Sequence, residues 1–214
     1  MQSVKPTIRF YIEQNDVFML CGAVIDEEFK ISQSYKYEPA QGWLIAPEPE
    51  ELDDSFLADE ETVAKVILVI EKSYKEQLQL AMDVAQACHK GQKDRSGVDY
   101  FEGHLTYVAN RVPEGKAKIV AYLHDIIEDT EMTPDILLNM GFGYECVDAI
   151  LAMSHDSAED YMDYIKEVKK NPLAKQVKLA DLAHNMDLTR LNKIGERDIQ
   201  RADKYRQAYV ELLR

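Results

Sequence analysis

The sequence predicts a mainly α fold: a helical bundle preceded by a small antiparallel β-rich module. In the first part of the chain, the apolar residues are largely β-branched or aromatic, and Pro and Gly punctuate them. From Thr62 onward, apolar residues recur mostly at three- and four-residue steps, the helical period. The 214 residues suffice for one sizeable core and an appendage. We therefore predict a β-rich module at 1–47, an acidic linker at 48–61 and a helical domain at 62–214.

The strands of the module are predicted from extended apolar runs. The first two runs are Thr7–Gln14 and Val17–Ile25, with a plausible turn at Asn15-Asp16 between them. Phe29–Tyr37 and Trp43–Ala46 are expected to add further strands. The module carries no recognisable chemical motif, so it leaves open a homo-oligomer or a protein partner engaged through its surface.

The linker at 48–61 is dense in Asp and Glu and poor in apolar residues. Such a run is typical of a linker or of a solvated helix N-terminus, where carboxylates interact favourably with the helix dipole. A metal site here is disfavoured, because nothing in the run would fix its geometry.

The helices of the third region are placed by their apolar period and their end signals. Gly91 is a natural residue to follow the first helix, and Thr133-Pro134 supplies an N-cap followed by a proline at the first helical position. Residues Val66–Ile70 fit either this first helix or a last strand. The predicted helices cover residues 62–90, 104–111, 116–128, 134–140, 144–154, 158–171, 173–191 and 196–213.

Composition excludes several classes of protein. The formal net charge of −14 disfavours general nucleic-acid binding, which needs a basic face. No apolar run approaches the roughly 20 residues of a membrane span. Met1 is followed by no apolar signal segment, so a cytoplasmic location is expected. The three cysteines form no pair with metal-binding spacing, which indicates neither a disulfide framework nor a thiolate zinc site.

The most informative stretch is Val120–Thr130, in which an apolar segment ends in His124, Asp125, Glu128 and Asp129. Residues three and four apart share a helix face, so these groups lie near one another. Desolvating an imidazole and three carboxylates is costly unless a partner compensates them. A divalent metal is such a partner, because imidazole and carboxylate suit Mn, Fe or Zn.

Two residues elsewhere in the chain complete a ligand set. Asp181 interrupts a helix whose neighbours look buried, and His104 opens a helix with an apolar face. Together with His124 and Asp125 they supply two imidazoles and two carboxylates. That set suits a six-coordinate metal with waters left open for chemistry.

These residues lie in blocks that make the chain similar to a known family. It resembles the HD superfamily of metal-dependent phosphohydrolases, and within it the (p)ppGpp hydrolase domain of the RelA/SpoT type and the free-standing small alarmone hydrolases. The blocks appear in the family's order over roughly residues 62–195. They are Ala81-x-x-x-Ala85-x-x-x-His89-Lys-Gly-Gln92, Ser96-Gly97-x-x-Tyr100 with His104-x-x-x-Val108-Ala109, Leu123-His124-Asp125-Ile-Ile-Glu128-Asp129-Thr130, and Val177-Lys178-Leu-Ala-Asp181-Leu-x-His-Asn185.

The resemblance implies a role for each matching residue. The metal, usually Mn²⁺ although another divalent ion would fit, would be held by His104, His124, Asp125 and Asp181. Glu128 and Asp129 would be catalytic, orienting the metal-bound water or moving its proton. The implied reaction is hydrolysis of the 3′-pyrophosphate of guanosine tetra- or pentaphosphate to GDP or GTP and pyrophosphate. The nucleotide would be contacted by Lys93, Arg95, Tyr100, Lys178, Asn185 and Arg190. Asn185 would alternatively hold Asp181 in place.

The chain departs from the family's pattern around the second block. The family usually has Pro-Tyr-Ile-x-His-Pro, whereas Asp99–Leu105 is one residue longer between Tyr100 and His104 and lacks both prolines. Asp94 stands where the family often has an arginine. These departures keep open an HD-type nucleotidase or phosphatase acting on another nucleotide such as NADPH. A second alternative is a metal-retaining binding or regulatory protein that engages a partner through the β-rich module, although a pure binder would not need the carboxylates of Glu128 and Asp129.

Three histidines remain outside the predicted site. His89 is expected to be structural, and His155 to mark a helix end. His184, next to Asn185, is expected to be an ordinary packed or surface residue.

Overall fold

The computed structural model of the protein describes residues 7–14, 18–25, 31–46, 57–58, 60–156 and 158–214. The chain divides into two compact units, residues 1–76 and 77–214. The predicted domain boundaries at 47/48 and 61/62 stay predictions.

The first unit contains an antiparallel sheet with the strand order β4-β3-β2-β1-β5. Its strands are β1 Thr7–Gln14, β2 Phe18–Ile25, β3 Ile31–Glu38, β4 Gly42–Ala46 and β5 Leu57–Ala58. In the longest pairing, Thr7 lies opposite Ile25 and Gln14 opposite Phe18. The grouping of these strands into a separate module at 1–47 stays a prediction. The predicted turn at Asn15-Asp16 and most of the acidic linker lie outside the described residues.

Helix α1 runs from Glu60 to Cys88. The alternative of a strand at Val66–Ile70 is therefore wrong. Within the first unit, the hydroxyl of Tyr37 and the backbone N–H of Ala40 both donate hydrogen bonds to Oε1 of Glu71, at 2.8 and 2.7 Å. These bonds fix the turn between β3 and β4 to the helix.

The second unit is helical, as predicted. A π-helical turn, Phe101–Leu105, precedes α2, and a 3₁₀ turn, Leu188–Arg190, follows α8. The remaining helices are α2 Thr106–Ala109, α3 Lys116–Leu123, α4 Ile126–Asp129, α5 Pro134–Asn139, α6 Tyr144–Met153, α7 Tyr161–Lys170, α8 Pro172–Met186 and α9 Glu196–Leu213.

Helix α3 is the centre of this unit, and it packs against α2, α6 and α8. Residues 119–123 of α3 are all buried, because the helix is apolar on nearly every face. The side chains of Leu105, Leu123, Ile150 and Leu182 are fully buried around it. The end of α3 therefore places His124 in the packed interior, and Asp125 follows it at a partly exposed position.

Three predicted helices differ from the observed ones in ways that matter for the site. The helix predicted over 116–128 is interrupted after Leu123, and α4 starts only at Ile126. The helix predicted over 104–111 is a π-helical turn followed by the short α2. The helix predicted to reach Leu191 ends at Met186, where Asp187 leaves the helical conformation.

Helix ends follow the predicted chemistry more closely. The side chain of Thr133 accepts a hydrogen bond from the backbone N–H of Ile136, so this residue is the N-cap of α5 as predicted. In the part of the chain that the structure describes, no helix is both long enough and apolar enough to span a membrane.

Candidate metal centre and its cavity

Two imidazoles and two carboxylates converge at one buried point of the second unit. The Nε2 atoms of His104 and His124 are 3.3 Å apart. Oδ2 of Asp125 lies 3.3 Å from Nε2 of His104 and 3.1 Å from Nε2 of His124. Oδ1 of Asp181 lies 3.4 and 3.8 Å from the same two nitrogens. The structure thus brings together all four residues that the sequence predicts as metal ligands.

The interruption after α3 explains how His124 and Asp125 can both face this point. Neighbouring residues in a continuous helix point about 100° apart, since the helix has about 3.6 residues per turn. Asp125 has left the helical conformation, with φ −99° and ψ 0°. Its side chain therefore turns back beside that of His124, and the two ligand atoms come within 3.1 Å.

The π-helical turn is the local backbone feature that positions His104. The backbone N–H of Thr106 donates to the carbonyl of Phe101, five residues earlier, as in a π-helix. Such a turn accommodates one more residue than an α-helical turn. The rings of Tyr100 and His104 are neighbours at this turn, with centroids 5.0 Å apart.

Each of the four residues is held by a further group. Nδ1 of His124 donates to the carbonyl of Ala121 at 2.8 Å, and Nδ1 of His104 lies 2.7 Å from Nδ1 of His184. The hydroxyl of Tyr100 donates to Oδ2 of Asp125 at 2.6 Å. Asp181 accepts from Nδ2 of Asn185 at 2.5 Å and pairs with Nζ of Lys178 at 2.9 Å. Partners of this kind orient the ligands of metal sites and fix the histidine tautomers.

Three of these atoms, Nε2 of His104, Nε2 of His124 and Oδ1 of Asp181, have the mutual spacing and the chemistry to hold a divalent ion, and Oδ2 of Asp125 lies beside both imidazoles. Ligand atoms about 2.1 Å from a common ion lie roughly 3.0 to 3.4 Å apart, depending on geometry. The observed separations of 3.1 to 3.8 Å are close to this range. His104, His124 and Asp181 are all nearly inaccessible to solvent. A mixed imidazole and carboxylate set suits Mn, Fe or Zn.

The protonation of the cluster is coupled to this chemistry. Burial lowers the pKa of His124, but Asp125 and Asp181 more than offset that effect and raise it to about 10. Burial would raise the pKa of Asp181, yet Lys178 and the two histidines hold it well below the ordinary value. Protons on the imidazoles and a metal ion compete for the same Nε2 lone pairs.

A cavity of about 290 Å³ opens beside the cluster. Five of the predicted functional residues line it in addition to Asp125 and Asp181: Tyr100, Glu128, Asp129, Lys178 and Asn185. It is also lined by residues that the sequence did not point to, namely His155, Tyr161, Tyr164, Arg201, Lys204 and Tyr205.

The two predicted catalytic carboxylates, Glu128 and Asp129, lie on α4, directly after the interruption that follows α3. Glu128 accepts a hydrogen bond from the backbone N–H of His155 at 3.3 Å, so His155 has a contact with the site that the sequence did not predict. Burial raises the pKa of Glu128 above its usual 4.5, and the nearby charge of Asp125 contributes to the rise. Oδ2 of Asp129 accepts from Gln92 at 2.8 Å, and Gln92 in turn contacts Nδ1 of buried His89 at 2.7 Å.

Three predicted substrate-binding cations do not line this cavity. Lys93 is exposed on the loop after α1, where it forms a β-bridge with Asp99. Arg95 pairs with Asp198. Arg190 pairs with the nearly buried carboxylate of Asp94 at 2.8 Å. Arg95 and Arg190 instead line a small adjoining crevice that shares Asn185, Arg201 and Tyr205 with the cavity. Their role in substrate binding stays a prediction.

Helix α9 supplies a cationic wall that the sequence does not predict. Arg201, Lys204 and Tyr205 are three and four residues apart, so they share one face of this helix. Nζ of Lys204 lies 4.1 Å from the centroid of the Tyr161 ring, and Nη2 of Arg201 donates to the hydroxyl of Tyr205 at 3.0 Å. The spacing of these three residues can be read from the sequence. However, α9 is polar on most faces, so the sequence does not distinguish the face that lines the cavity.

His184 is the second omission. It is packed, one of the two outcomes expected for it, but it packs against His104, one of the four converging residues. Burial, together with the nearby charges of His104 and Arg190, lowers its pKa to about 4. The signal available in the sequence was its position three residues after Asp181 on α8.

Comparison with known proteins gives relatives of one kind. No protein-family model matches the chain. The GTP pyrophosphokinases of Streptomyces coelicolor and Streptomyces antibioticus are 29% and 30% identical to it over 154 residues. In both cases the match covers 67% of this chain and 18% of the relative, so the chain spans less than a fifth of their length.

A solved structure shares the fold. It is that of a metazoan ortholog of SpoT, described as hydrolysing ppGpp and playing a role in starvation responses. The similarity has a TM-score of 0.55 with 19% sequence identity, and it covers 64% of this chain and 85% of the other. The sequence relatives and the shared fold point the same way. The predicted resemblance of this chain to the RelA/SpoT family is confirmed.

Proposed function

We propose that the chain is a Mn²⁺-dependent phosphohydrolase that removes the 3′-pyrophosphate of ppGpp or pppGpp, producing GDP or GTP and pyrophosphate. The observation that carries this proposal is the convergence of Nε2 of His104, Nε2 of His124, Oδ2 of Asp125 and Oδ1 of Asp181 at the edge of a cavity with a cationic wall. The four residues would hold the ion, and the wall would receive the polyphosphate.

The charges around the cavity favour an anionic substrate only when a divalent ion is bound. Four carboxylates line it against three cations, so its walls alone carry a net negative charge. The carboxylates are Asp125, Glu128, Asp129 and Asp181, and the cations are Lys178, Arg201 and Lys204. A divalent ion would make this balance positive, which suits a nucleotide with several phosphates.

Different groups in the cavity would perform different steps of the reaction. When bound, the ion would lower the pKa of a water ligand and polarise the phosphoryl group that is attacked. Glu128 would accept the proton of the attacking water, and its raised pKa suits a group that both takes up and returns a proton. The bond between phosphorus and the ribose O3′ would break, and O3′ would take a proton as the pyrophosphate leaves.

The remaining cavity residues would bind and orient the substrate. Lys204 and Arg201 would contact the phosphates as charge-assisted donors. The rings of Tyr161 and Tyr205, whose centroids are 6.0 Å apart, would offer apolar faces to the nucleoside. Lys178 forms an ion pair with Asp181, so its main role would be to hold that proposed ligand in place.

The direction of the reaction is supported by the fold. The solved structure that shares it belongs to a protein described as hydrolysing ppGpp. The two Streptomyces relatives are named for the opposite reaction, but this chain matches only 18% of each. We therefore assign the matched part to hydrolysis.

The test is pyrophosphate release from ppGpp by the purified chain with and without Mn²⁺. Release that requires Mn²⁺ and is lost in Asp125→Ala supports the reaction and the ligand set together. Asp135→Ala is the matched control, because Asp135 is exposed in the first turn of α5 and does not line the cavity. No release from the wild-type chain despite stoichiometric metal binding would refute the proposed substrate.

A second candidate is hydrolysis of another phosphorylated nucleotide, such as NADPH. The engagement of Arg190 by Asp94 and of Arg95 by Asp198 favours it, because both cations were expected at the guanine nucleotide. A panel of nucleotides assayed in Mn²⁺ decides between the two. A higher kcat/KM for NADPH than for ppGpp would establish the second candidate.

A further inference from the structure

His184 contacts a predicted metal ligand through a hydrogen bond between two imidazoles. Its Nδ1 lies 2.7 Å from Nδ1 of His104, and both side chains are almost completely buried. A neutral imidazole carries one N–H and one acceptor nitrogen. A contact this short therefore requires one of the two Nδ1 atoms to donate and the other to accept.

The surroundings of His104 decide which nitrogen donates. Its Nε2 faces Nε2 of His124, Oδ2 of Asp125 and Oδ1 of Asp181 at 3.3 to 3.4 Å. A nitrogen that binds a metal must present a lone pair. The proton of a neutral His104 then sits on Nδ1, and Nδ1 of His184 accepts it.

The ring of His184 is held in the orientation that this bond needs. Its face packs on the ring of Tyr107, with centroids 4.1 Å apart, and the guanidinium of Arg111 lies 3.4 Å from the centroid of Tyr107. His184 also shares α8 with Asp181 and Asn185. A single helix thus supplies one metal ligand, the amide that holds that ligand, and the imidazole that contacts a second ligand.

We propose that His184 is a positioning residue of the metal centre, whose Nδ1 accepts the Nδ1 proton of His104 and keeps the Nε2 lone pair of His104 directed at the ion. This inference rests on the metal site of the proposed function, but not on the identity of the substrate. His124 achieves the same result with the backbone carbonyl of Ala121, which can only accept.

The first test measures Mn²⁺ affinity by calorimetry for the wild-type chain, His184→Leu and His184→Asn. Leucine fills similar space without an acceptor, so the dissociation constant should rise about 10- to 100-fold, as for other groups that orient metal ligands. The amide oxygen of asparagine can take the place of Nδ1, so His184→Asn should bind Mn²⁺ nearly as well as the wild type.

A structural role alone would give a different pattern. Val168→Ala removes buried packing on α7 away from the cluster, so it should lower the unfolding temperature and leave Mn²⁺ affinity unchanged. The proposal is overturned if His184→Leu keeps wild-type affinity, if His184→Asn binds as weakly as His184→Leu, or if the wild-type chain binds no Mn²⁺.

The proton itself can be located by NMR. In the Zn²⁺-loaded chain labelled with ¹⁵N-histidine, long-range ¹H–¹⁵N correlations should show a proton on Nδ1 of His104. A proton on Nδ1 of His184 instead would refute the assignment. Both measurements are made without nucleotide, so a chain that binds metal and fails to hydrolyse ppGpp would refute the proposed substrate and leave this inference standing.

Discussion

The chemistry of this site depends on side chains behind the ligands as much as on the ligands themselves. The buried carboxylate of Asp181 is compensated by Lys178 and Asn185, and that of Asp125 by Tyr100. Removing one member of such a pair leaves the other charge buried without a partner, which is more damaging than losing a surface ion pair. Substitutions that test the chemistry are therefore better made in the cavity wall.

Glu128 is the wall residue whose removal should affect the chemical step most. We expect Glu128→Gln to lower kcat about 10²- to 10⁴-fold, the usual contribution of a general base. A base acts in its deprotonated form, so activity should fall as the pH drops through the pKa of Glu128, which lies above the ordinary 4.5. This acidic limb of the pH–rate profile should disappear in the residual activity of Glu128→Gln.

The control for this variant is Glu131→Gln, because Glu131 is exposed and lies outside the cavity. It should retain both the rate and the acidic limb. Wild-type kcat in Glu128→Gln would exclude Glu128 as the base.

Lys204 should affect binding more than chemistry, since it lines the cavity from α9, away from the ligand cluster. A hydrogen bond to a charged group contributes about 1.5–3 kcal/mol, so Lys204→Gln should raise KM for ppGpp about tenfold or more with little change in kcat. Steady-state kinetics beside Lys193→Gln, an exposed lysine outside the cavity, measures the effect. Equal KM values for the two variants would remove Lys204 from the binding site.

At the scale of elements, the sequence could identify the four residues that converge but not the backbone that brings them together. His104, His124, Asp125 and Asp181 are chemically distinctive in apolar surroundings, so their types and positions were informative. The interruption after Leu123 was not predictable, because Val120–Asp129 reads as one uninterrupted helical pattern. Nor was the wall of α9, since Arg201 and Lys204 resemble any solvated helix face.

The geometry of the π-helical turn leads to a separate prediction for Gly103. A Cβ at this position would lie 3.0 and 3.1 Å from Cγ1 and Cβ of Val98, and 3.3 Å from Oδ2 of Asp94. Gly103→Ala should therefore displace Val98 and the preceding loop. Overpacking costs about 1–3 kcal/mol and the higher helix propensity of alanine returns about 1 kcal/mol, so the free energy of unfolding should fall by up to about 2 kcal/mol. Urea unfolding at equilibrium measures the change.

Val98→Ala provides the internal check. Val98 is 48% exposed, so its truncation alone should cost little. In the double variant, part of the strain of Gly103→Ala should be relieved, which gives a favourable coupling free energy. Strict additivity of the two substitutions would show that the contact with Val98 does not limit this turn.

At the scale of the whole molecule, an acidic chain is expected to bind an acidic substrate. The formal net charge of −14 repels a nucleotide at long range, and salt screens that repulsion. Among the residues that the structure describes, Lys178, Arg201 and Lys204 supply positive charge to the cavity, and a bound ion would add to it. The ion is thus expected to contribute to the stability of the fold as well as to the reaction, because it neutralises carboxylates that folding has buried.

The last prediction follows from this coupling between metal, protons and folding. The folded-state pKa of His124 is raised from 6.5 to about 10. Without metal, its protonated form contributes stability that is fully present below pH 6.5 and is lost as the pH rises through about 10. Metal binds the deprotonated form, so the stabilisation by Mn²⁺ should grow as the pH rises across this window. With free metal at 100 times the dissociation constant, the stabilisation by Mn²⁺ should reach about 2.7 kcal/mol.

Unfolding followed at several pH values with Mn²⁺ or with a chelator measures this increment in stability. Asp181→Asn should lose most of the increment, while Lys193→Gln should keep it. An increment that does not change with pH would mean that the ion binds away from the histidines.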